Sequence, residues 1–240
     1  MKMRQRNMPV YSDQLLLNMI AVSFSRRRQN HSRLPSPISE LAIFGNMKFT
    51  LSAAKDRTTT QWAGGTTTQL AIYPPGAEYT KFNFLFRMST ATVEVEESTF
   101  TFMPGVTRHL MILEGALDIN HKGRYKKHLD KFGYDVFDGE WPTTAKGKVT
   151  DFNLMLREKS GGKLQALALR GRQEETIPFR SKIAYSGVYL LQGAVRVIAG
   201  INSTEMKTGD FLFCDHEGEE QIMHIQATAF SEIILTTIEL

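Results

Sequence analysis

One arginine lies where a predicted strand would turn it toward the interior of the protein. Residues 82–95 alternate as a strand does, and Arg87 falls on the face that also carries Ala91. An unpaired charge on an apolar face is costly, so this guanidinium needs a counter-charge or a ligand. Its planar fork matches the two oxygens of a carboxylate. Arg87 is therefore a candidate ligand-binding residue. The alternative is an internal ion pair with Glu114 or Asp151.

The chain carries the same strand–glycine–strand pattern twice. Residues 111–119 and 189–197 each contain an apolar strand, a Glu-Gly or Gln-Gly pair and a second alternating strand, and they begin 78 residues apart. Gly115 and Gly193 suit tight turns because glycine adopts positive φ without steric cost. We interpret each copy as a β-hairpin, and the repeat predicts a duplicated β-domain.

After residue 47 the chain reads as short strands separated by Gly, Pro and Asp, with little helix. This pattern predicts an all-β protein built from sandwiches or barrels. If each of two barrels contains one repeat unit, the pattern favours two cupin-type jelly-roll barrels in one chain, which is a bicupin. We expect the first barrel at residues 47–165 and a second, smaller barrel at residues 166–240.

The cupin interpretation can be tested against metal chemistry. Counting back from Gly115, the position of the cupin metal-binding glutamate falls on Arg108, and its counterpart in the second barrel is Ser186. Neither side chain is a usual ligand of a transition metal, and we interpret the acidic residues at 215–220 as a solvated turn. We therefore predict no metal and no cofactor. A guanidinium in place of a carboxylate makes the site cationic, so Arg108 joins Arg87 as a candidate anion-binding residue.

Further polar residues on the predicted strands are candidates to bind the same anion as these arginines. Thr66 and Thr67 follow a Gly-Gly pair and offer hydroxyl and backbone donors to an anion, although a β-bulge explains the glycines equally well. Residues 151–157 alternate so that their polar members share one face, which either lines a cavity or meets water. No nucleophile–base arrangement can be assembled, so no catalytic residue is predicted. The candidate ligand-binding residues are Arg87, Arg108, Thr66, Thr67, Ser89, Asn153, Arg157 and Glu114.

Several segments, in order, resemble motifs of the HutD/Ves family over about residues 47–240. Many members of that family carry Trp-x-Asn-Gly-Gly-Gly-x-Thr-Arg-Glu, and the Asn, Arg and Glu positions of this motif fall here on Trp62, Thr68 and Gln69. This departure indicates a different ligand if those groups touch it. The matching segments are residues 62–77, 86–91, 103–108, 113–115 and 151–157.

The resemblance implies a bacterial bicupin without the usual cupin metal ligands. It also implies a role in histidine utilisation, through binding of an intermediate such as urocanate or formylglutamate, or a role in a stress response. No firmly assigned enzyme activity accompanies the family. We therefore predict a protein that binds a small anionic metabolite, and the alternative is a metal-independent isomerase or hydrolase. A third hypothesis is an interaction module that uses an exposed face of Phe82, Phe84 and Phe86; burial between the barrels is the preferred interpretation of that face.

Charge and cysteine content limit the partners and the compartment. Residues 1–46 carry a net charge of +5, and the whole chain carries +4, so residues 47–240 carry −1. This balance argues against nucleic-acid binding. The apolar run at 14–24 is too short to span a membrane, and a single cysteine fits a reducing compartment. We predict a cytoplasmic monomer or homodimer whose residues 1–46 are a disordered or non-native extension; a docking helix at 11–24 is the alternative.

Overall fold

The computed structural model describes residues 47–240, which form an almost purely β structure. Within these described residues there are nineteen strands, and the two helices are single 3₁₀ turns at Ala54–Asp56 and Tyr79–Lys81. The prediction of an all-β protein with little helix is confirmed. The predicted extension at 1–46 lies outside the described residues, as does its candidate helix at 11–24.

Two antiparallel sheets form the first barrel, and strands β2 to β11 supply them. The larger sheet has the order β2 (Thr59–Trp62), β3 (Gly65–Tyr73), β4 (Phe86–Val93), β11 (Val149–Arg157), β6 (Val106–Gly115) and β9 (Tyr134–Asp138). The facing sheet has the order β5 (Glu97–Thr99), β10 (Thr143–Lys146), β7 (Leu117–His121) and β8 (Tyr125–Leu129).

Two further antiparallel sheets form the second barrel. One has the order β1 (Lys48–Ser52), β17 (Phe211–Asp215), β14 (Ile183–Gln192), β19 (Ser231–Glu239) and β12 (Gly161–Leu169). The other has the order β13 (Glu174–Phe179), β18 (Gln221–Ala227), β15 (Ala194–Ala199) and β16 (Asn202–Lys207). Strand β1 therefore pairs inside the second barrel, although its position in the sequence predicted the first barrel. Its hydrogen-bonding partner β17 lies far away in the chain.

Three large apolar clusters within residues 47–240 hold these sheets together, and a fourth, smaller cluster contains Phe84 and Met155. One fills the first barrel between its two sheets, a second fills the second barrel, and the third lies between the barrels. The third cluster joins the outer face of the six-stranded sheet to the five-stranded sheet of the second barrel. Its fully buried members include Phe86, Met88, Phe152, Leu154, Phe211 and Ile234.

The repeated glycine unit is a corner between sheets, so its interpretation as a hairpin was wrong. Strand β6 pairs with β9 and β11, whereas β7, which follows Gly115, pairs with β8 and β10 in the facing sheet. Gly193 makes the same change of sheet between β14 and β15. Both glycines have positive φ, 83° and 100°, and a Cβ atom at Gly115 would collide with the carbonyl oxygen of Lys148. Each unit therefore carries the chain from one sheet of its barrel to the facing sheet.

The alternation expected over residues 82–95 holds only from Phe86 onward. Phe82 lies in the left-handed region with φ 52°, so the chain bends before β4 begins. Phe84 therefore packs in a separate cluster, beside Met155, while Phe86 joins the cluster between the barrels. Phe84 and Phe86 are 1% and 0% exposed, so the hypothesis of an exposed phenylalanine face is wrong.

Candidate functional site

Two buried guanidiniums face the interior of the first barrel. Arg87 of β4 and Arg108 of β6 both stand opposite Met155 of the intervening strand β11, so the three residues form one row across the sheet. The next rows on the same face contain Leu110 and Ile112, which belong to the core of the first barrel. The arginines are 6% and 7% exposed.

Arg87 is held by uncharged partners. Its Nε donates to Oε1 of Gln69 at 3.1 Å, and its Nη1 donates to the hydroxyl of Ser89 at 3.0 Å. The ring of Tyr79 covers the guanidinium, with the Arg87 Cζ atom 4.4 Å from the ring centroid. Burial lowers the pKa of Arg87, because the charged form is poorly solvated in this position.

Arg108 is also held without a direct ion pair among the described residues. Its Nη2 donates to Oδ1 of Asn153 at 3.0 Å, and its Cζ atom lies 4.6 Å from the Phe100 ring centroid. Its Nε is buried and has no hydrogen-bond partner within residues 47–240. Burial, with a smaller contribution from the repulsion of Arg87, lowers the pKa of Arg108 to about 10. This guanidinium retains unused hydrogen-bonding capacity.

One carboxyl group lies behind the amide that holds Arg108. Asn153 donates its Nδ2 to Oδ1 of Asp151, so the polar chain runs from Arg108 through Asn153 to Asp151. Asp151 is 5% exposed. Desolvation raises its pKa to about 7, although Arg108 and the hydrogen bond from Asn153 act in the opposite direction. Asp151 therefore changes its charge near neutral pH.

The structure brings together half of the predicted ligand-binding residues. Arg87 and Ser89 form one hydrogen-bonded pair and Arg108 and Asn153 form another, and the two pairs lie side by side because Ser89 stands opposite Asn153. Thr67 pairs with Ala91 and lies on the same face, nearer the exposed margin.

The remaining predicted residues lie elsewhere. Thr66 pairs with Thr92 and therefore points to the opposite face of the sheet. Glu114 pairs with Thr150, and a bulge lies between Thr150 and Asp151. Glu114 is therefore separated from the face that carries Asp151. Its side chain is exposed and lies outside the cluster. Arg157 shares the site face but lies at the end of β11 and is half-buried.

Three contributors were missed from the sequence. Gln69 was noted only as a departure from a motif, yet it positions Arg87. Tyr79 comes from a 3₁₀ turn and Phe100 from the connection after β5, and each covers one guanidinium. Alternation predicts the face on which a strand residue lies, but it carries no information on loop residues that fold over that face. The sequence indicated Asp151 as a possible ion-pair partner and as a member of the polar row of residues 151–157, but not as a candidate ligand-binding residue.

The exposed margin of the site lies at strands β2 and β3. Gln69 is exposed, whereas the paired Ser89 and then Asn153 are buried, so solvent exposure falls along this row toward the barrel interior. Trp62 lies on the same margin and is 44% exposed. A depression of about 480 Å³ lies apart from the arginines, on the outer face of the four-stranded sheet near Asp118. The polar row therefore runs from an exposed side chain, Gln69, to buried ones beside the arginines.

The described residues do not fit the metal site that the cupin fold commonly carries. No group of three or more His, Cys, Asp or Glu side chains within residues 47–240 is arranged to hold a metal ion. Arg108 and its counterpart Ser186 are both buried on strands that face barrel interiors, and neither supplies a suitable donor. His216, expected within a solvated turn, is instead fully buried, and its Nε2 lies 2.8 Å from the Ser186 hydroxyl.

Neither of the two described helices has the length and apolar character that a bilayer crossing requires.

No curated protein matches this chain in sequence. Solved structures do match it in fold. A conserved protein of unknown function from Pseudomonas aeruginosa PAO1 is 19% identical, with a TM-score of 0.72 and coverage of 80% of this chain and 100% of that chain.

Two further structures have related folds. HutD from Pseudomonas fluorescens SBW25, in a formate condition, is 18% identical with a TM-score of 0.62, and the match covers 80% of this chain and all of that one. The bacterial pirin YhhW from Escherichia coli, in complex with nickel(II), is 12% identical with a TM-score of 0.58 and coverage of 79% and 98%. The family model described as HutD matches residues 54–234, which is more than half of the sequence. The chain therefore belongs to the HutD family.

Proposed function

We propose that this HutD-family protein binds a small carboxylate inside its first barrel, between Arg87 and Arg108. The observation that carries the proposal is the burial of both guanidiniums beside amide, hydroxyl and aromatic partners, with no carboxylate of residues 47–240 in direct contact with either. Two cations desolvated without a counter-charge are costly. A bound carboxylate supplies the missing charge and matches the guanidinium fork.

The surroundings of the arginines favour binding over catalysis. The groups in contact with them orient the guanidiniums and offer neither a nucleophile activated by a base nor a thiol. We further propose that the ligand belongs to histidine utilisation, where the protein would regulate or buffer the pathway, or to a stress response. Membership of the HutD family supports this assignment.

The decisive experiment is thermal denaturation of the full chain with formate, acetate, urocanate and N-formylglutamate as separate probes. A ligand present at 100 times its dissociation constant adds about 2.7 kcal/mol to the free energy of unfolding. Arg87→Ala should abolish this stabilisation, and Arg87→Met, which keeps an apolar stem, should do the same if the alanine variant folds poorly. Lys163→Ala, on the exposed surface of β12, should retain it. Equal stabilisation of Arg87→Met and the parent protein would overturn the proposal.

A metal-independent isomerase or hydrolase is a second candidate because of Asp151. A carboxyl group whose pKa is raised to about 7 is suited to proton transfer near neutral pH. The test is incubation of each probe with about one protein molecule per hundred probe molecules, followed by NMR. Product formation that disappears in Asp151→Asn would favour the enzyme, and unchanged probes would favour the binding protein.

A further inference from the structure

We propose that the second barrel contains a separate binding site for a small carboxylate with an apolar body and an uncharged oxygen acceptor at its far end. The site is a cavity of about 400 Å³ between β12 and β13, the edge strands of the two facing sheets. This volume falls within the range of about 300–1,000 Å³ that is typical of small-molecule sites. The proposal does not depend on the arginines of the first barrel.

The walls of this cavity are apolar and belong to the core of the second barrel. Phe179, Ile183 and Leu235 line the cavity, and all three are buried members of that core. Ile177 also lines the cavity and packs against the same core. Leu235 lies on the face of β19 that carries Ile233, as strand alternation requires. The cavity therefore lies on the interior side of both sheets, and its walls suit an apolar ligand body.

The rim of the cavity carries more positive than negative charge. Arg180 and Lys182 line the cavity and are exposed, and Glu239 is the one carboxylate among its lining residues in the described part of the chain. Glu239 is engaged by Lys182 at 2.7 Å, so it does not offset the charge of Arg180. A guanidinium fork matches the two oxygens of a carboxylate. The rim therefore favours an anionic head group.

A layer of uncharged polar side chains lies behind the apolar walls. Thr237 lines the cavity and stands opposite Ser186 in the register of β19 and β14. The Ser186 hydroxyl lies 2.8 Å from Nε2 of His216, and the rings of His216 and Phe179 meet edge-on with their centroids 4.5 Å apart. Gln221 stands opposite Phe179 on the neighbouring strand. Phe179 and Thr237 therefore contribute to the cavity wall and adjoin the polar layer.

Two atoms of this layer have unused hydrogen-bonding capacity. His216 and Gln221 are 0% and 2% exposed, and Nδ1 of His216 and Nε2 of Gln221 have no hydrogen-bond partner within residues 47–240. A buried polar atom without a partner is costly, and an amide nitrogen can only donate. Burial lowers the pKa of His216 to about 4, so the imidazole is neutral at neutral pH. A ligand with an uncharged carbonyl oxygen fits this layer better than one with a second carboxylate.

The duplicated fold gives this layer a counterpart in the first barrel. Ser186 occupies in β14 the place that Arg108 occupies in β6, because the two repeat units begin 78 residues apart. The first barrel presents guanidinium groups at this level, whereas the second presents hydroxyl, imidazole and amide groups. Corresponding positions of the two barrels therefore differ in charge, and we expect the two barrels to bind ligands of different classes.

The experiment uses probes that differ by one feature at a time. 5-Oxohexanoate has a carboxylate, an aliphatic body and a ketone near its far end; hexanoate lacks the ketone, and hexan-2-one lacks the carboxylate. NMR titration of the full chain at pH 7.5 follows the ring signals of His216, which are assigned by their loss in His216→Gln. 5-Oxohexanoate should shift these signals to saturation, and each of the other two probes should bind about three- to tenfold more weakly.

Each outcome of this titration bears on one part of the site. Equal affinity of hexanoate and 5-oxohexanoate would overturn the role of the polar layer. Equal affinity of hexan-2-one and 5-oxohexanoate would overturn the role of the cationic rim. His216 signals that stay unshifted with every probe would overturn the whole proposal, and this result needs no variant that must first be shown to fold.

Matched variants test the position of the ligand in the cavity. Arg180→Gln should weaken 5-oxohexanoate binding about three- to tenfold and leave hexan-2-one binding unchanged, and Gln221→Met should reduce 5-oxohexanoate to the affinity of hexanoate. Arg196→Gln is the control for the rim, because Arg196 is exposed and pairs with Glu205. Gln226→Met is the control for the layer, because Gln226 lies on the opposite face of β18 from Gln221. Unchanged affinity in both test variants would overturn the assignment to this cavity.

A first-barrel variant separates this proposal from the function proposed above. Arg87→Met should give the same 5-oxohexanoate titration as the parent protein, because Arg87 lies in the first barrel. Loss of the His216 response in Arg87→Met would assign the ligand to the first barrel and overturn the second site. An unchanged response would support the second site, whatever the result of the carboxylate experiment at Arg87.

Discussion

Arg87 and Arg108 occupy one row of the six-stranded sheet, on either side of Met155. The methionine contributes no charge, so the row presents two cations and an apolar centre to the barrel interior. Arg108 is 7% exposed and its Nε lacks a partner among residues 47–240. A protein optimised only for stability would not retain this arrangement, because an apolar side chain of similar size avoids the desolvation cost.

Arg108→Met should make the ligand-free protein more stable and abolish carboxylate binding. Removal of the buried charge is expected to raise the free energy of unfolding by about 1–3 kcal/mol, as measured by urea denaturation. Arg57→Met provides the control, because Arg57 donates to the backbone carbonyl oxygens of Ser52 and Gly209, so its loss should destabilise the fold. Destabilisation of both variants to the same extent would assign Arg108 a structural role.

Carboxylate binding should weaken as the pH rises from 6 to 8. The pKa of Asp151 is raised to about 7, so this range converts its neutral carboxyl group to a carboxylate that opposes an anionic ligand near Arg108. Arg87 and Arg108 stay charged across the range. Titration of acetate at pH 6, 7 and 8 measures the effect, and Asp151→Asn should remove most of the pH dependence. A parent profile that is flat over this range would contradict the prediction.

Asp151 should also make the folded protein less stable above neutral pH. Its folded pKa lies above the ordinary value of 3.8, so between these values the folded state binds more protons than the unfolded chain. Stability therefore falls as the pH rises from about 4 to about 7 and stays low above that range. Asp151→Asn should gain more unfolding free energy at pH 8 than at pH 5 in urea denaturation. Equal gains at both pH values would argue against the raised pKa.

His216 should contribute to acid sensitivity of the second barrel. Burial lowers its pKa to about 4, so between about 6.5 and 4 the unfolded chain binds more protons and stability falls with falling pH. His216→Gln keeps a polar group near Ser186 and should give a shallower loss of stability between pH 7 and pH 5. His128→Gln, at an exposed site where Asp118 raises the pKa, should not flatten the curve.

Gly65→Ala should destabilise the first barrel. Gly65 has φ 149°, and an added Cβ atom would collide with the backbone carbonyl oxygen of Thr92 on the neighbouring strand. A backbone clash cannot be relieved by a rotamer change, so we expect a loss of more than about 2 kcal/mol in urea denaturation. Gly161→Ala is the control, since its added Cβ would lie 3.6 Å from the nearest atom, an ordinary contact. Similar stability of the two variants would refute the argument.

The sequence by itself determined the properties that depend on local periodicity. A strand alternates every two residues, so the inward direction of Arg87 and Ser89 followed from their spacing. The repeat around Gly115 and Gly193 indicated two similar β units, and the motif order identified the family. Such features need only neighbouring residues, because side-chain direction in a strand is set by the backbone of the same segment.

The tertiary structure decided everything that depends on partners distant in the chain. It turned the two glycine units into corners between sheets, placed β1 in the second barrel and buried His216. It also brought the amides of Gln69 and Asn153 onto the two guanidiniums. Strand order and register fix these contacts, and both result from long-range hydrogen bonding and core packing rather than from the pattern within a single segment.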